Sequence, residues 1–544
     1  MINYSIETKK IIETTKPSKH NPIYDASMYW SQKSFNLASA IIELYTKKNE
    51  IVFDPFLGSG VTLIESISNS LNRRCIGCEI NEEPIFMIRS SLQRDNNKKK
   101  IERLRSFVKD LQELQHKYYH CVCPICGNSS IIKSIIFDKV NNEVVIKTVN
   151  ATCPQHNTVK INPTTDILRQ MFCRYEYNSI INAPLITNTK LAVREGMHIK
   201  DIFTDRNFKV LDEIIGLKKS KYSDIENVID YVLIGIIHLC KITDTHSNSQ
   251  WPLWTPSKDC VEKNVIFTFE RRAKKVESAL RYASEHYSRS YEASSFKNML
   301  RPCGYLIHHK GIQNITDEDI QNESVDFILT DPPYLGQVAY SEYMQLYKPF
   351  LGLDFNLEDE IVVSSSPERD KSTTSYFELL DSAFKVCSNK LKSGKYMCMY
   401  FHDCSLDVWC KLVEILKKNH FKYISQAHVD KLYTLKNIIS PKKSLNGDSL
   451  LIFRKELEYG QDEIACKENI SEIEQNIILE AKHMISRFGP QSTPELYDNG
   501  LMEIIITNGW LIPLSKKYKS LVELFEKYLI WDTDSARWKA KSTS

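Results

Sequence analysis

The chain has 544 residues, a formal net charge of +3, 42% hydrophobic residues and 26% charged ones. That length holds several folding units with ample core, and the composition excludes a disordered chain, a collagen-like repeat and a membrane bundle. No run of roughly 18 or more apolar residues marks a transmembrane helix, and Met1 to Lys10 has no apolar signal-peptide core, so a cytoplasmic protein with no membrane partner is expected.

The small total charge hides an asymmetry. Residues 1–90 sum to zero, residues 91–310 to +11 and residues 311–544 to −8. The basic excess therefore sits in one part, where it can meet phosphates. The chain has 15 cysteines, an odd number, which argues against a disulfide framework in a reducing compartment. Most stand alone and are expected to be small buried apolar groups.

In chain order, Ile51 to Asp54 reads as a short buried strand, followed by the turn Leu57-Gly58-Ser59-Gly60. Val61 to Ser70 then shows helical spacing. Arg74 to Glu79 is a second strand ending in an acid, and Pro84 lies early in the next helix. Strand, glycine turn, helix, strand, acid is half of a nucleotide-binding α/β unit. Glycines let backbone approach a ligand, and Glu79 is placed to accept hydrogen bonds from a ribose diol. No lysine follows the glycines, which points away from a nucleoside triphosphate. A tight turn without ligand is the alternative.

The alternation then breaks. Lys98 to Lys117 is a basic helix and Val228 to Leu239 an apolar one. Between them, Cys123-Pro-Ile-Cys126-Gly and Cys153-Pro-Gln-His156 form two knuckles, joined by a hairpin (Ile131 to Phe137, Glu143 to Val149) turning at Asn141-Asn142. That spacing predicts a closed, structural Zn²⁺ site with ligands Cys123, Cys126, Cys153 and His156, Cys121 being a spare candidate. Unligated thiols are the alternative. Trp251, Trp254 and Phe269 beside Arg271, Arg272, Lys274 and Lys275 read as core aromatics next to a solvated face, or as a base-stacking basic patch.

The α/β pattern resumes with strands Tyr305 to His308 and Val325 to Thr330, the latter running into Asp331-Pro332-Pro333-Tyr334. Two prolines fix the backbone there. The Asp331 carboxylate and the Pro332 carbonyl can accept from one exocyclic amino group, and Tyr334 offers a face for a planar base. This suits methylation of an aromatic amine, which needs positioning and electrostatics more than a strong base. Glu342 to Leu351, Tyr376 to Leu391 and Leu406 to Lys418 read as helices. Lys395 to Phe401, Tyr423 to His428 and Ser449 to Phe453 read as strands, the last two as a hairpin with a turn at Asn446-Gly447. Ser364 to Ser375, with Arg369 and Lys371, reads as a mobile loop. His308, His309, His402 and Asp403 lie at strand ends facing the site. Residues 456–544 read as helical.

With both motifs in place the chain resembles the S-adenosylmethionine-dependent amino-methyltransferases of D-P-P-Y type. It is most similar to bacterial adenine-specific DNA methylases with a zinc-ribbon insert. Tyr24 to Phe35 occupies the place of the motif that precedes their cofactor loop, and Tyr340-Ser341-Glu342, Phe401-His402 and Trp409 also recur. The resemblance implies cofactor contacts from Tyr29, Asp54, Pro55, Phe56, Gly58, Ser59, Gly60, Thr62, Glu79 and Asn81, and catalytic roles for Asp331, Pro332, Pro333 and Tyr334. At the third strand, Gln313 and Asn314 carry amides where such enzymes often carry an acid.

The implied fold is α/β: a doubly wound Rossmann-like sheet with an antiparallel last strand, interrupted by an insert. Residues 1–95 would be the cofactor half and 96–300 a helical DNA-recognition insert with a zinc ribbon at 118–160. Residues 301–455 would be the catalytic half and 456–544 a helical module. The implied function is methyl transfer from S-adenosylmethionine to a flipped base in double-stranded DNA, adenine N6 first, with room for a cognate restriction endonuclease or defence-system partner. Cytosine N4 in DNA and guanine N2 in tRNA are the alternatives, although only 53 residues precede Asp54, short for the RNA-binding domain of the tRNA enzymes. A catalytically inactive nucleic-acid-binding protein on the same fold is a fourth reading.

Overall fold

The computed structural model describes residues 3–541 apart from 31, 141–142, 174, 179–180, 246–250, 300, 336–337, 430–446 and 458–467. The turn expected at Asn141-Asn142, and Asn446 of the later turn, lie outside the described residues. No helix among the described residues is long and apolar enough to cross a membrane.

The strands are β1 (Ile51–Asp54), β2 (Arg74–Glu79), β3 (His120–Val122), β4 (Ser129–Val140), β5 (Glu143–Cys153), β6 (Asn157–Ile161), β7 (Cys260–Lys263) and β8 (Tyr291–Glu292). They continue with β9 (Gly304–His309), β10 (Val325–Thr330), β11 (Leu391–Phe401), β12 (Phe421–Val429), β13 (Asp448–Lys455), β14 (Leu529–Asp532) and β15 (Arg537–Ala540). The central sheet has the order β12-β13-β11-β10-β1-β2-β9-β8. Its pairs from β11 to β8 are parallel, and β13 runs antiparallel between β11 and β12. The last strand of the sheet in chain order is thus antiparallel, in a mixed α/β architecture.

β1 and β10 are buried at every position, as strands covered on both faces must be. Alternate residues serve opposite cores: Val52 and Phe327 belong to one apolar cluster, Phe53 and Ile328 to the other. Their register, Val52 with Phe327 and Phe53 with Ile328, brings the carboxyl ends of β1 and β10 side by side. Gly77 of β2 is required by packing, because a Cβ there would lie 2.6 Å from the Leu57 side chain.

The second sheet is antiparallel, with order β3-β4-β5-β6, and β7 pairs with residues 134–137 of β4, beyond the 129–131 segment that β3 occupies. β7 comes from a segment far later in the chain and is anchored by a buried pair. Arg206 donates to Glu262 through Nε at 3.1 Å and again through its terminal nitrogen, and Thr204 donates to the same carboxylate at 2.7 Å. Both side chains are essentially inaccessible. The helix Asn97–Tyr119 leads out of the central sheet and Val265–His286 leads back, clasped by Asn97 Nδ2 donating to the Leu280 carbonyl at 2.8 Å. The central sheet takes up its next strand, β8, immediately after that return.

Several elements differ from the sequence reading. The helix after the glycine turn stops at Ser66. The apolar stretch 228–239 forms two helices, Glu226–Ile234 and Ile237–Cys240. Gly235 lies at the break, where a Cβ would meet Arg272 Nε at 2.7 Å. That close approach lets Arg272 donate to the Asp25 and Ala26 carbonyls. Residues 342–351 are likewise split, into Tyr340–Met344 and Lys348–Leu351. The segment 456–544 is not wholly helical. Helices including Ile470–Phe488 and Leu521–Tyr528 pack with a terminal β14–β15 hairpin whose Trp538 is fully buried.

The pair Arg206–Glu262 should dominate the stability of the second sheet. Arg206→Met strands a buried carboxylate and should cost about 3–5 kcal/mol in urea denaturation, whereas Arg206→Met with Glu262→Leu should cost clearly less. Equal losses would assign the effect to packing alone.

Candidate active site and metal centre

At the carboxyl edge of the central sheet an open cleft lies between the glycine turn, the end of β2 and the Asp331–Tyr334 segment. The structure brings Tyr29, Asp54, Pro55, Phe56, Gly58, Ser59, Thr62, Glu79 and Asn81 to its wall together with Asp331, Pro332, Pro333 and Tyr334. Gly60 does not border it. With φ +76 it starts the helix Val61–Ser66, and a Cβ there would meet Ile88 Cγ1 at 2.5 Å. Its part is in backbone geometry.

Backbone donors shape the carboxylates. Glu79 accepts from Gly58 N at 3.0 Å and from Ile80 N and Asn81 N at 2.9 Å each. Burial still pushes its carboxyl up to about 7. Asp54 accepts from Phe56 N at 3.1 Å and from the Thr330 hydroxyl at 2.9 Å, and burial raises it to about 6. The Thr330 bond ties the ends of β1 and β10 together. Tyr29 stacks on Tyr340 with ring centroids 5.6 Å apart and planes at 6°. Its Cε1 would lie 3.1 Å from a Cβ at Gly58, so only glycine keeps that approach open.

Asp331 has two close partners, one within its own motif and one that local sequence does not announce. The Tyr334 hydroxyl donates to Oδ1 at 2.6 Å, and Lys33 Nζ lies 3.0 Å from Oδ2. Lys33 also donates to Asp448 Oδ2 at 2.7 Å and to the Tyr334 hydroxyl at 3.1 Å. Burial would lower the lysine, but the Asp331 and Asp448 carboxylates hold it well above its ordinary value. Burial raises the Asp331 carboxyl despite Lys33. Tyr376 fixes the Pro333 carbonyl at 2.8 Å.

Also on the cleft wall, Gln313 donates to the Asp359 carbonyl at 2.9 Å, and the neighbouring Asn314 donates to the Asp359 carboxylate at 2.9 Å. Asp359 itself borders the cleft, its carboxylate also accepting from Asn356 Nδ2 at 2.9 Å. The Gln313 Oε1 atom is buried with no partner among the described residues. The run Ser364 to Ser375 is not a loose loop: Arg369 is buried, paired to Glu342 at 2.7 Å and Glu360 at 2.8 Å. Ser372 caps the helix Thr373–Lys390. Asn188 of the insert donates to Glu342 at 2.6 Å.

Other candidates fall elsewhere. Phe269 is core. Trp251 and Trp254 border a separate open pocket with Tyr343. Asp403 accepts from Ser405 N, His309 bonds the Ile80 carbonyl, and neither borders the cleft. His402 bonds the Gly447 carbonyl with its ring 6.2 Å from Tyr334.

In the second sheet, Cys123, Cys126, Cys153 and His156 converge, with all ligand atoms within 4.8 Å of one another. Cys123 Sγ lies 3.6 Å from His156 Nδ1, and Cys153 Sγ lies 3.7 Å from both Cys126 Sγ and His156 Nδ1. Those are the edge lengths of a tetrahedron with metal–sulfur distances of about 2.3 Å, so the donor set fits Zn²⁺. Cys121 stands outside the group.

Part of the wall of this cleft lies in a segment that is similar to a known family. The profile of the DNA methylase family N6_N4_Mtase matches residues 6–89. Over 57 residues the chain is 46% identical to Type II methyltransferase M.HindIII of Haemophilus influenzae, a match taking in 10% of this chain and 18% of that protein. These matches make part of the chain similar to DNA methyltransferases, while it spans under a fifth of the curated relative's length. Two solved structures match parts of the chain. One, from Thermus thermophilus and described as a putative DNA modification methylase, is 12% identical, covering 31% of this chain and 70% of its own, with a TM-score of 0.14. The other, from Listeria monocytogenes and described as a putative class I S-adenosylmethionine-dependent methyltransferase, is 13% identical, covering 58% of this chain and 82% of its own, with a TM-score of 0.18. At those scores the fold rests on the strand order itself.

The cysteine cluster generates a direct test. Purified protein should carry one zinc per chain by atomic emission. Cys126→Ser should lose it and become protease-sensitive between 118 and 160, because so small a sheet has little core of its own. Native zinc content in that variant would remove Cys126 from the ligand set.

Proposed function

We propose that the chain is a DNA methyltransferase that moves a methyl group from S-adenosylmethionine to the exocyclic amino group of a flipped base, adenine N6 ahead of cytosine N4. The observation that carries it is the shared wall: the segment matching the methylase family and the Asp331–Tyr334 segment line one cleft.

The cleft fits the cofactor. The buried Gln313 Oε1, without a partner among the described residues, suits an adenine amino group, Glu79 a ribose diol, and the buried carboxylates a cationic ligand. When bound, S-adenosylmethionine supplies an electrophilic methyl on sulfonium. Asp331 and the Pro332 carbonyl accept hydrogen bonds from the target amino group, which frees its lone pair from the ring, and the proton that nitrogen loses as it gains the methyl leaves along the bond to Asp331. The Tyr334 ring stacks on the base, and its hydroxyl aims the Asp331 carboxylate. Orientation does most of the work.

In this reading residues 1–95 and 301–455 form the methyltransferase domain, and the basic insert 96–300 meets double-stranded DNA, stiffened by a zinc ribbon at 118–160. Residues 456–544 are an appended module. A restriction endonuclease of the same specificity is the partner such a modification enzyme implies.

Labelled methyl transfer to unmethylated DNA of mixed sequence tests the reading. Asp331→Ala should lower the rate at least about 10²-fold and leave cofactor binding native by calorimetry. An active Asp331→Ala would contradict the role, and transfer to tRNA but not DNA would contradict the substrate.

A further inference from the structure

Lys33 stands where the proposed reaction needs its substrate. Its ammonium has three N–H donors, and the structure directs them to Asp331, Asp448 and the Tyr334 hydroxyl. Two of those partners belong to the Asp331–Tyr334 segment. A primary ammonium on Asp331 Oδ2 makes the same kind of bond that an exocyclic amino group would make there. With the Tyr334 hydroxyl on Oδ1, both oxygens of the carboxylate are engaged. Lys33 is only 11% exposed and its charge lies 5.0 Å from the Tyr400 ring and 5.3 Å from the Tyr334 ring. Such a buried cation does not sit there as a solvated surface charge.

We propose that Lys33 is a positioning residue that masks Asp331 in the free enzyme and is displaced onto Asp448 by the amino group of the target base. The inference rests on the proposed function, since it needs an amino group entering at Asp331. Its logic is electrostatic. While Lys33 is 3.0 Å away, the Asp331 carboxylate is neutralised and cannot favour the positive charge that grows on the attacking nitrogen. Moving Nζ off Asp331 restores that charge only when a base is present. Asp448, 2% exposed and already 2.7 Å from Nζ, keeps the displaced ammonium paired, so the move leaves no buried charge alone. The Tyr400 hydroxyl, buried at the cleft wall without a hydrogen-bond partner among the described residues, offers Lys33 an acceptor after the shift.

Displacing the mask costs DNA affinity, which gives the test. Full-length wild type, Lys33→Met, Asp448→Asn and the double variant are compared by labelled methyl transfer on mixed DNA, with cofactor binding measured alongside. Lys33→Met should lower KM for DNA at least about threefold, with kcat within about twofold. Asp448→Asn should raise KM, because Lys33 loses its second carboxylate. In the double variant that increase should vanish. An unchanged or raised KM in Lys33→Met and in the double variant, with native cofactor binding, would overturn the proposal: Lys33 would then be a counter-ion or a DNA contact. If Lys33→Met does not fold, Asp448→Asn decides, and an unchanged KM there overturns it too. A wild type that binds cofactor but methylates no DNA would overturn the function itself, and this role with it.

Discussion

The parallel pairing of β1 with β10 is the constraint on which the site depends. Asp54 and Thr330 are 276 residues apart in the chain and share a 2.9 Å hydrogen bond at the strand ends. Both strands are fully buried, so their register is set on two faces at once, and a one-residue slip would exchange the two cores. Everything that lines the cleft follows from that register. The glycine turn leaves the end of β1, Asp331 leaves the end of β10, and Thr62 reaches across to the Leu329 carbonyl at 3.3 Å. A long insert between the two strands is tolerable because loop-closure entropy grows slowly with length. The clasped helices Asn97–Tyr119 and Val265–His286 also return the chain to its point of departure.

Around this register the protein gathers carboxylates that burial makes costly. Glu79 and Asp54 are raised by desolvation, and each is held by donors from the backbone or from Thr330. Asp331 and Asp448 share one lysine. Glu342 and Glu360 share Arg369, and Asn188 ties that pair to the insert. Buried acids with incomplete compensation form a site that favours a cation and an amino group over an anion, which is the polarity expected for a sulfonium cofactor and an aromatic amine. The positive excess lies away from this, in residues 91–310, so the part that would meet phosphate and the part that would bind the base carry opposite signs.

What was legible in the sequence was what is local. Strand, glycine turn and strand-end acid lie close together in the chain, as do Val325 and Tyr334, and each appears where its spacing places it. The two cysteine knuckles were equally readable, since ligand spacing within a knuckle is short. Long-range partners were not. Lys33 reads as one more lysine, and only tertiary folding brings it to Asp448, 415 residues away, and to Tyr334, 301 away. Arg369, in a polar run, reads as solvated because nothing nearby reveals Glu342 and Glu360. The apolar stretch 228–239 has one helical period but two helices, because Gly235 must admit the Arg272 side chain. Such features are set by packing across the fold and leave no pattern in the local sequence.

The central claim is that this cleft methylates an exocyclic amino group of DNA. Modification-sensitive sequencing of DNA from cells expressing the chain tests it most directly, because it reports base, atom and sequence context together. The account predicts N6-methyladenine at one short recurring motif, present with the wild type and missing with Asp331→Ala. Unmodified DNA in both, from cells that hold the folded, cofactor-bound protein, would contradict it.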